Sequence, residues 1–159
     1  MLGALAVVFS FRGLGSPDPG ATLPGLLVGA LCALGAKRCL DQAERYELGA
    51  GAERSVGKVL ERSIPDGFKL THSVPKRGGG DLDHVLRSRR LTIVIETKRS
   101  RVDRAAIAQA HRHRDHAERR WHRPAVAVVC LALGDVAPYR SGDVWVLSLQ
   151  HLPQWLSGC

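Results

Sequence analysis

Aromatic residues make up only 5% of the 159 residues, and the chain holds a single Met and four Cys. Cys32, Cys39, Cys130 and Cys159 form no CxxC pair and no spacing that suits a zinc site or a disulfide framework, so incidental or buried thiols and a reducing cytoplasm are expected. With 17 Gly and 8 Pro, the sequence also lacks the bias of collagen, low-complexity chains or bulk disorder. What remains is 45% hydrophobic and 24% charged, enough for one compact domain with a short appendage. Charge is nearly missing from residues 1–36, where Arg12 and Asp18 cancel. The whole net charge of +8 therefore lies in residues 37–159. Such a balance favours a polyanionic partner, nucleic acid first and an anionic membrane surface second.

The amino-terminal part divides into an apolar run at Met1–Phe11, a Gly- and Pro-rich stretch at Gly13–Gly25 and a second apolar run at Leu23–Ala36. As a helix joined by Ala21 and Thr22, the second run is roughly 24 Å long, short of the roughly 30 Å hydrocarbon core of a bilayer. A cleavable signal peptide fits poorly, because no Lys or Arg precedes the first run and Arg12 closes it. Residues 1–40 are thus read as an apolar segment, either a membrane anchor or a helix that packs on the domain, ahead of a domain at 41–159. If residues 1–36 insert, Lys37 and Arg38 hold the domain on the cytoplasmic side.

Beyond Asp41 the periodicity predicts a helix over roughly Glu53–Glu61, with Glu53, Val56 and Leu60 on one face. Strands follow at Phe68–Val74, Leu82–Arg87 and Leu91–Lys98, with turns at Pro65–Gly67 and Gly78–Gly80. Asp103–Trp121 has no breaker and reads as a helix with Asp103 at its positive end and a strongly basic outer face. Pro124–Leu133 and Val144–Leu149 are apolar runs of the kind found in strands buried on both faces. The expected order is α-β-β-β-α-β-β, with a last turn near Trp155.

Alternation along Ile93–Lys98 puts Glu96 and Lys98 on one face and Ile93 and Ile95 on the other. If Leu82–Arg87 and Leu91–Lys98 pair through a two-residue turn at Arg89–Arg90, residues whose numbers add to 179 lie opposite each other, and Asp83 faces Glu96. Two carboxylates at that separation repel unless a hard divalent cation lies between them. Arg-Arg is not a favoured sequence for such a turn.

Gly80-Asp81-Leu82-Asp83-His84-Val85, followed by Ile93-Val94-Ile95-Glu96-Thr97-Lys98, resembles the nuclease-related domain (NERD), a branch of the PD-(D/E)xK nuclease superfamily. Upstream, Gly49-Ala50-Gly51-Ala52-Glu53 with Val56 and Leu60 is similar to that family's opening helix, so the resemblance covers roughly Tyr46 to Leu133. It implies an α/β, restriction-endonuclease-like core with a mixed central sheet flanked by helices. It further implies that Asp83 and Glu96 ligate Mg²⁺ or Mn²⁺, that Lys98 is the catalytic lysine, that Glu53 is an accessory acid, and that Gln109 is a polar residue of the site. The expected activity is metal-dependent hydrolysis of DNA phosphodiester bonds, since a carboxylate-held Mg²⁺ both stabilises charge on the phosphate and makes a water nucleophilic. DNA is the expected substrate, with RNA open, and oligomeric state is not readable.

Arg112–Arg120, rich in Arg and His, departs from the family pattern and leaves substrate preference open. Its His111, His113 and His116, with His122, fit a solvated basic face far better than a zinc site. Arg112, Arg119 and Arg120 on the same helix are candidates to track a phosphate backbone. Gly51–Lys58 approaches the pattern of a phosphate-binding loop, but Ala52 and Val59 stand where that loop needs Gly and Ser or Thr, which excludes an NTPase. No Ser and His pairing supports a hydrolytic triad. Gly78–Gly80 either admits a close backbone or is a flexible turn, and Asp81 either supports a metal through water or sits in solvent. Two other functions compete: a catalytically inactive nucleic-acid-binding module on the same fold, and a membrane-tethered partner-binding protein. An intact Asp83, Glu96 and Lys98 set argues against the first.

Overall fold

The computed structural model describes residues 19–76 and 79–159. Met1–Phe11 and the first part of the Gly- and Pro-rich stretch lie outside the described residues. The chain divides into two units, residues 1–47 and 48–159. Helix α1, Pro19–Arg62, contributes to both. In the first unit its Leu27, Val28, Leu31, Leu34 and Leu40 are exposed. No helix among the described residues is long and apolar enough to cross a membrane.

The second unit is built on a mixed sheet of six strands: β1 (Lys69–Pro75), β2 (Asp81–Arg87), β3 (Thr92–Lys98), β4 (Ala125–Leu131), β5 (Tyr139–Ser141) and β6 (Val144–Ser148). Their order across the sheet is β1-β2-β3-β4-β6-β5. β1, β2 and β3 form the expected antiparallel meander, whereas β4 runs parallel to β3 and β6 parallel to β4. A parallel neighbour needs a crossover, and helix α2 (Arg104–Trp121) supplies it between β3 and β4. The expected order of elements is present with two additions. The three-residue edge strand β5 is too short to leave a periodic signal, and the turn near Trp155 is a helix, α3 (Leu152–Ser157).

Alternation along the central strands sorts the core into two layers. Ile93, Ile95, Val128, Cys130 and Leu147 pack with Val56 and Leu60 of α1 and with Leu152 and Leu156 of α3. On the opposite face, Val85 and Val94 share a cluster with Ala117 of α2, and Val129, Val144 and Val146 share one with its Ala110. Small residues at Ala106, Ala110 and Ala117 let α2 lie close to the sheet. Asp103 is its N-cap, accepting from the Ala106 N–H at 2.7 Å. The expected helix over Glu53–Glu61 is the end of a much longer one. Only there do Val56 and Leu60 find a sheet to face, so only there is the apolar period strict. Gly51–Lys58 lies inside α1 and forms no loop. All four cysteines are free, and burial pushes the Cys130 thiol up to about 12, an inert structural thiol.

The β2–β3 hairpin adopts the expected register, pairing His84 with Ile95, Val85 with Val94, Leu86 with Ile93 and Arg87 with Thr92. Arg89 and Arg90 both keep negative φ, so the turn is not one of the glycine-favouring mirror-image types. Ser88 makes it viable. Its Oγ accepts from the Leu91 N–H at 3.0 Å and from the Arg90 N–H at 3.3 Å, while its backbone N–H donates to the Leu91 carbonyl at 2.9 Å. The Arg123 guanidinium also donates to the Ser88 carbonyl, tying the hairpin to the end of α2. Ser88→Ala is expected to lower stability by about 1 kcal/mol, read as a reduced urea midpoint with an unchanged m value. A midpoint equal to that of the wild type would mean the hydroxyl does not hold the turn.

Candidate active site

The α2-facing side of the sheet changes from apolar to polar along β2 and β3. On β3 the sequence Val94, Glu96, Lys98 runs from the hydrophobic layer to the strand end, and Glu96 is only 2% exposed. Facing it, α2 runs in the opposite direction and presents Ala117, His113 and Gln109. Lys98 Nζ donates to Glu96 Oε1 at 2.8 Å and to Gln109 Oε1 at 3.1 Å. The His113 Nδ1 atom lies 2.9 Å from Glu96 Oε2, at contact distance but off the line a ring N–H needs to donate well.

On β2, the hairpin register carried one step further sets Asp83 opposite Glu96, as the sequence suggests. At that step the Asp83 side chain takes the place of the ladder: its Oδ2 accepts from the Thr97 N–H at 2.7 Å. Burial first, and then the charge of Glu96, push the Asp83 carboxyl up to about 7, with a further rise from Glu53. Glu53, on α1, is thus within electrostatic reach of Asp83. Burial acts on Glu96 in the same upward sense, but the His113 ring and the Lys98 ammonium outweigh it and hold Glu96 below the usual glutamate range. The two carboxylates are therefore unequal: Glu96 is ionised with two partners, and Asp83 carries a proton over much of the acid range. Asp81 is exposed at the start of β2.

The structure thus brings Asp83, Glu96, Lys98 and Gln109 together, with Glu53 nearby. Arg112, Arg119 and Arg120 are exposed on α2. Of these, Arg120 already donates to the Pro75 carbonyl at 2.6 Å and lies over the Trp121 ring, 5.3 Å from its centroid. The solvated histidine face is corrected for one residue. His113 is buried, because it falls on the sheet-facing stripe with Ala106, Ala110 and Ala117. His122 is exposed, and His111 and His116 are half-buried. Sequence reasoning also missed Lys76, in the β1–β2 turn, whose Nζ lies 2.6 Å from His113 Nε2. A four-residue step along α2 from Gln109 was the available signal for His113; nothing in the sequence marked Lys76.

A family model for the nuclease-related domain matches residues 48–133, more than half of the chain. The chain belongs to the nuclease-related domain family. That span begins at the boundary of the second unit and takes in Glu53, Asp83, Glu96, Lys98, Gln109 and His113. A comparison with curated proteins gives no match. Among solved structures, the crystal structure of a repair endonuclease from Pyrococcus abyssi is similar, with a TM-score of 0.41 and 20% identity. The likeness covers 50% of this chain and 37% of that one, so this chain spans well under half of that enzyme's length.

The NERD site meets a physical test for a hard cation. Glu96 Oε2 is buried and lacks a well-formed hydrogen bond, and the adjoining Asp83 resists ionisation, so the pair is short of positive charge. Among the described residues no group of three or more His, Cys, Asp or Glu forms a metal cage. Two carboxylates offer hard oxygen donors that suit Mg²⁺ or Mn²⁺ and lack the His and Cys set that suits zinc.

The raised Asp83 pKa has a consequence for stability. Between 3.8 and about 7 the native state holds a proton that the unfolded chain has released, so stability falls as pH rises through that window and levels off above it. Glu96 acts in the opposite sense but below that window, adding stability that is lost as pH falls through its lowered folded pKa. Burial holds the His84 imidazole down at about 4, which adds a slope of the opposite sign between about 4 and 6.5 in both proteins. In EDTA, the unfolding free energy of the wild type is therefore expected to fall relative to that of Asp83→Asn on going from mildly acidic to neutral pH. Identical pH profiles for the two proteins would refute the perturbed carboxyl.

Proposed function

We propose that this NERD chain is a metal-dependent nuclease that hydrolyses DNA phosphodiester bonds at a site of PD-(D/E)xK type. The observation that carries the reading is the convergence of Asp83, Glu96, Lys98 and Gln109 at one end of β2 and β3, inside the family match. Asp83 and Glu96 would hold Mg²⁺ or Mn²⁺. Such an ion, when bound, offsets charge on the phosphate and lowers the pKa of water.

Each protein group then has a defined task. Lys98 is a three-proton donor that gives one proton to Glu96 and one to Gln109, which leaves the third for the attacking water or a phosphoryl oxygen. Gln109 fixes the direction of that third proton. Hydrolysis adds the water oxygen to phosphorus, breaks one ester P–O bond and leaves a proton to be taken up by the departing oxygen. Glu53, within electrostatic reach of Asp83, serves as an accessory acid. The exposed Arg112, Arg119 and Arg120 add backbone contacts outside the reacting centre, where charge raises affinity without selecting sequence.

Purified protein incubated with linear, circular and single-stranded DNA, and with RNA, is expected to cleave DNA in Mg²⁺ or Mn²⁺ and not in EDTA. Lys98→Ala is expected to slow cleavage by at least about 100-fold while changing affinity by no more than about threefold. Full activity in that variant would remove Lys98 from the mechanism. Binding without cleavage in every metal would favour the inactive-module reading instead. Calorimetry gives a second readout: Mn²⁺ binding near pH 6 is expected to release a proton from Asp83, and Asp83→Asn is expected to abolish that release.

A further inference from the structure

Lys76 is a half-buried ammonium with no carboxylate within 4.0 Å among the described residues, although it stands beside a site of the opposite charge. Its one recorded side-chain partner is His113 Nε2, at 2.6 Å. An ammonium can only donate, so Nε2 accepts and the ring proton sits on Nδ1, on the Glu96 side. An imidazole brings no negative charge to the pair, so it does not compensate the lysine. Its width separates the ammonium from Glu96, so Lys76 does not share the position of Lys98.

The residues on either side of the lysine hold its backbone. Its backbone closes from the Lys76 N–H to the Gly80 carbonyl at 3.0 Å, and Arg120 grips the Pro75 carbonyl at 2.6 Å. Gly80, at a φ of +70° that favours glycine, lies against the lysine: a Cβ there would meet Lys76 Cε and Nζ at 3.7 Å. Close by on α2, His116 Nε2 is buried with no hydrogen-bond partner. Burial, followed by the charges of Arg120, Arg119 and Lys76, holds that imidazole below its usual pKa, so positive charge predominates around this part of α2.

We propose that Lys76, braced by His113, anchors a phosphate-binding subsite for the phosphodiester next to the one at the Asp83–Glu96 pair. The subsite rests on the nuclease reading for its biological substrate, but its binding chemistry can be measured without turnover. It makes Lys76 a positioning residue that sets the register of the strand, one phosphate away from the reacting bond.

The competing role is a strut that only ties the β1–β2 turn to α2. Lys76→Gln separates the two, since an amide can still donate to His113 but carries no charge; Lys76→Met removes both, and Lys76→Arg restores charge. With the full chain in EDTA, affinity for labelled single-stranded and duplex DNA is measured over a range of salt. Both neutral variants are expected to flatten the slope of log K against log salt by about 0.7 for single strands and about 0.9 for duplex, and Lys76→Arg to restore it. In wild type, replacing phosphates one at a time by neutral methylphosphonate is expected to weaken binding most at one position, and that position-specific loss should disappear in Lys76→Gln. A wild-type slope in Lys76→Gln, or a scan without such a position, overturns the subsite. If Lys76→Met fails to fold, the Gln and Arg variants and the scan still decide. Wild-type cleavage with an unchanged Lys76→Gln slope would sink the subsite and spare the nuclease reading. A flattened slope in a chain that never cleaves would do the reverse.

Discussion

Two residues of strand β3 advance roughly 6.6 Å and four residues of helix α2 advance roughly 6 Å, and this near match governs the rest of the site. Because α2 is the crossover between two parallel strands, it runs back along the sheet. Alternate residues of β3 therefore meet every fourth residue of α2: Val94 with the level of Ala117, Glu96 with His113, Lys98 with Gln109. A one-residue slip of β3 would send Glu96 and Lys98 into the layer formed by Val128, Cys130 and Leu147, where an unpaired charge costs far more than the hairpin contributes. The same apolar side chains that fix the strand thus fix the register of the candidate site.

The match has an electrostatic consequence. Glu96 lies deep between the Lys98 ammonium, which donates to it, and the His113 ring, whereas Asp83, on the neighbouring strand, has the Thr97 N–H. Ionising both would place two negative charges side by side in a poorly hydrated place, and the protein responds by keeping a proton on Asp83. A fold selected for stability alone would pair that carboxylate or replace it. Leaving it short of charge costs stability locally, and the cation proposed for this site would offset that cost.

Much of this was legible in the sequence because period-2 alternation is a strict rule. From Ile93–Lys98 and Leu82–Arg87 alone, the face of each residue follows, and the register follows once the turn is placed at Arg89–Arg90. That turn looked unfavourable because dipeptide preferences describe the two central residues, while here the preceding Ser88 satisfies the backbone donors. His113 was misread for a related reason. In a run so rich in Arg and His, composition points to solvent, but only the helical stripe through Ala106, Ala110 and Ala117 says which histidine turns inward. β5 was invisible because three residues carry no period, and Lys76 because its role depends on a tertiary neighbour 37 positions away. The length of α1 was hidden as well, since its exposed stretch has no sheet to impose a pattern.

The basic residues of α2 are not equivalent evidence of a polyanionic partner. Arg119 and Arg120 occupy its last turn, where the carbonyl ends of the helix already favour positive charge, so they would stabilise the helix with no ligand at all. Arg114 pairs with Asp115 at 2.9 Å and with Asp143 at 3.1 Å, and Arg120 is engaged by Pro75 and Trp121. Each of these charges has a structural reason to be where it is. Lys76 has none of that support: it sits on a turn rather than at a helix end, its recorded side-chain partner is an imidazole and not a carboxylate, and the arginines nearest it share its sign. A half-buried cation held under those conditions costs stability unless an anion arrives, which is why the turn lysine, and not the longer run of arginines, is the more discriminating mark of a phosphate-binding face.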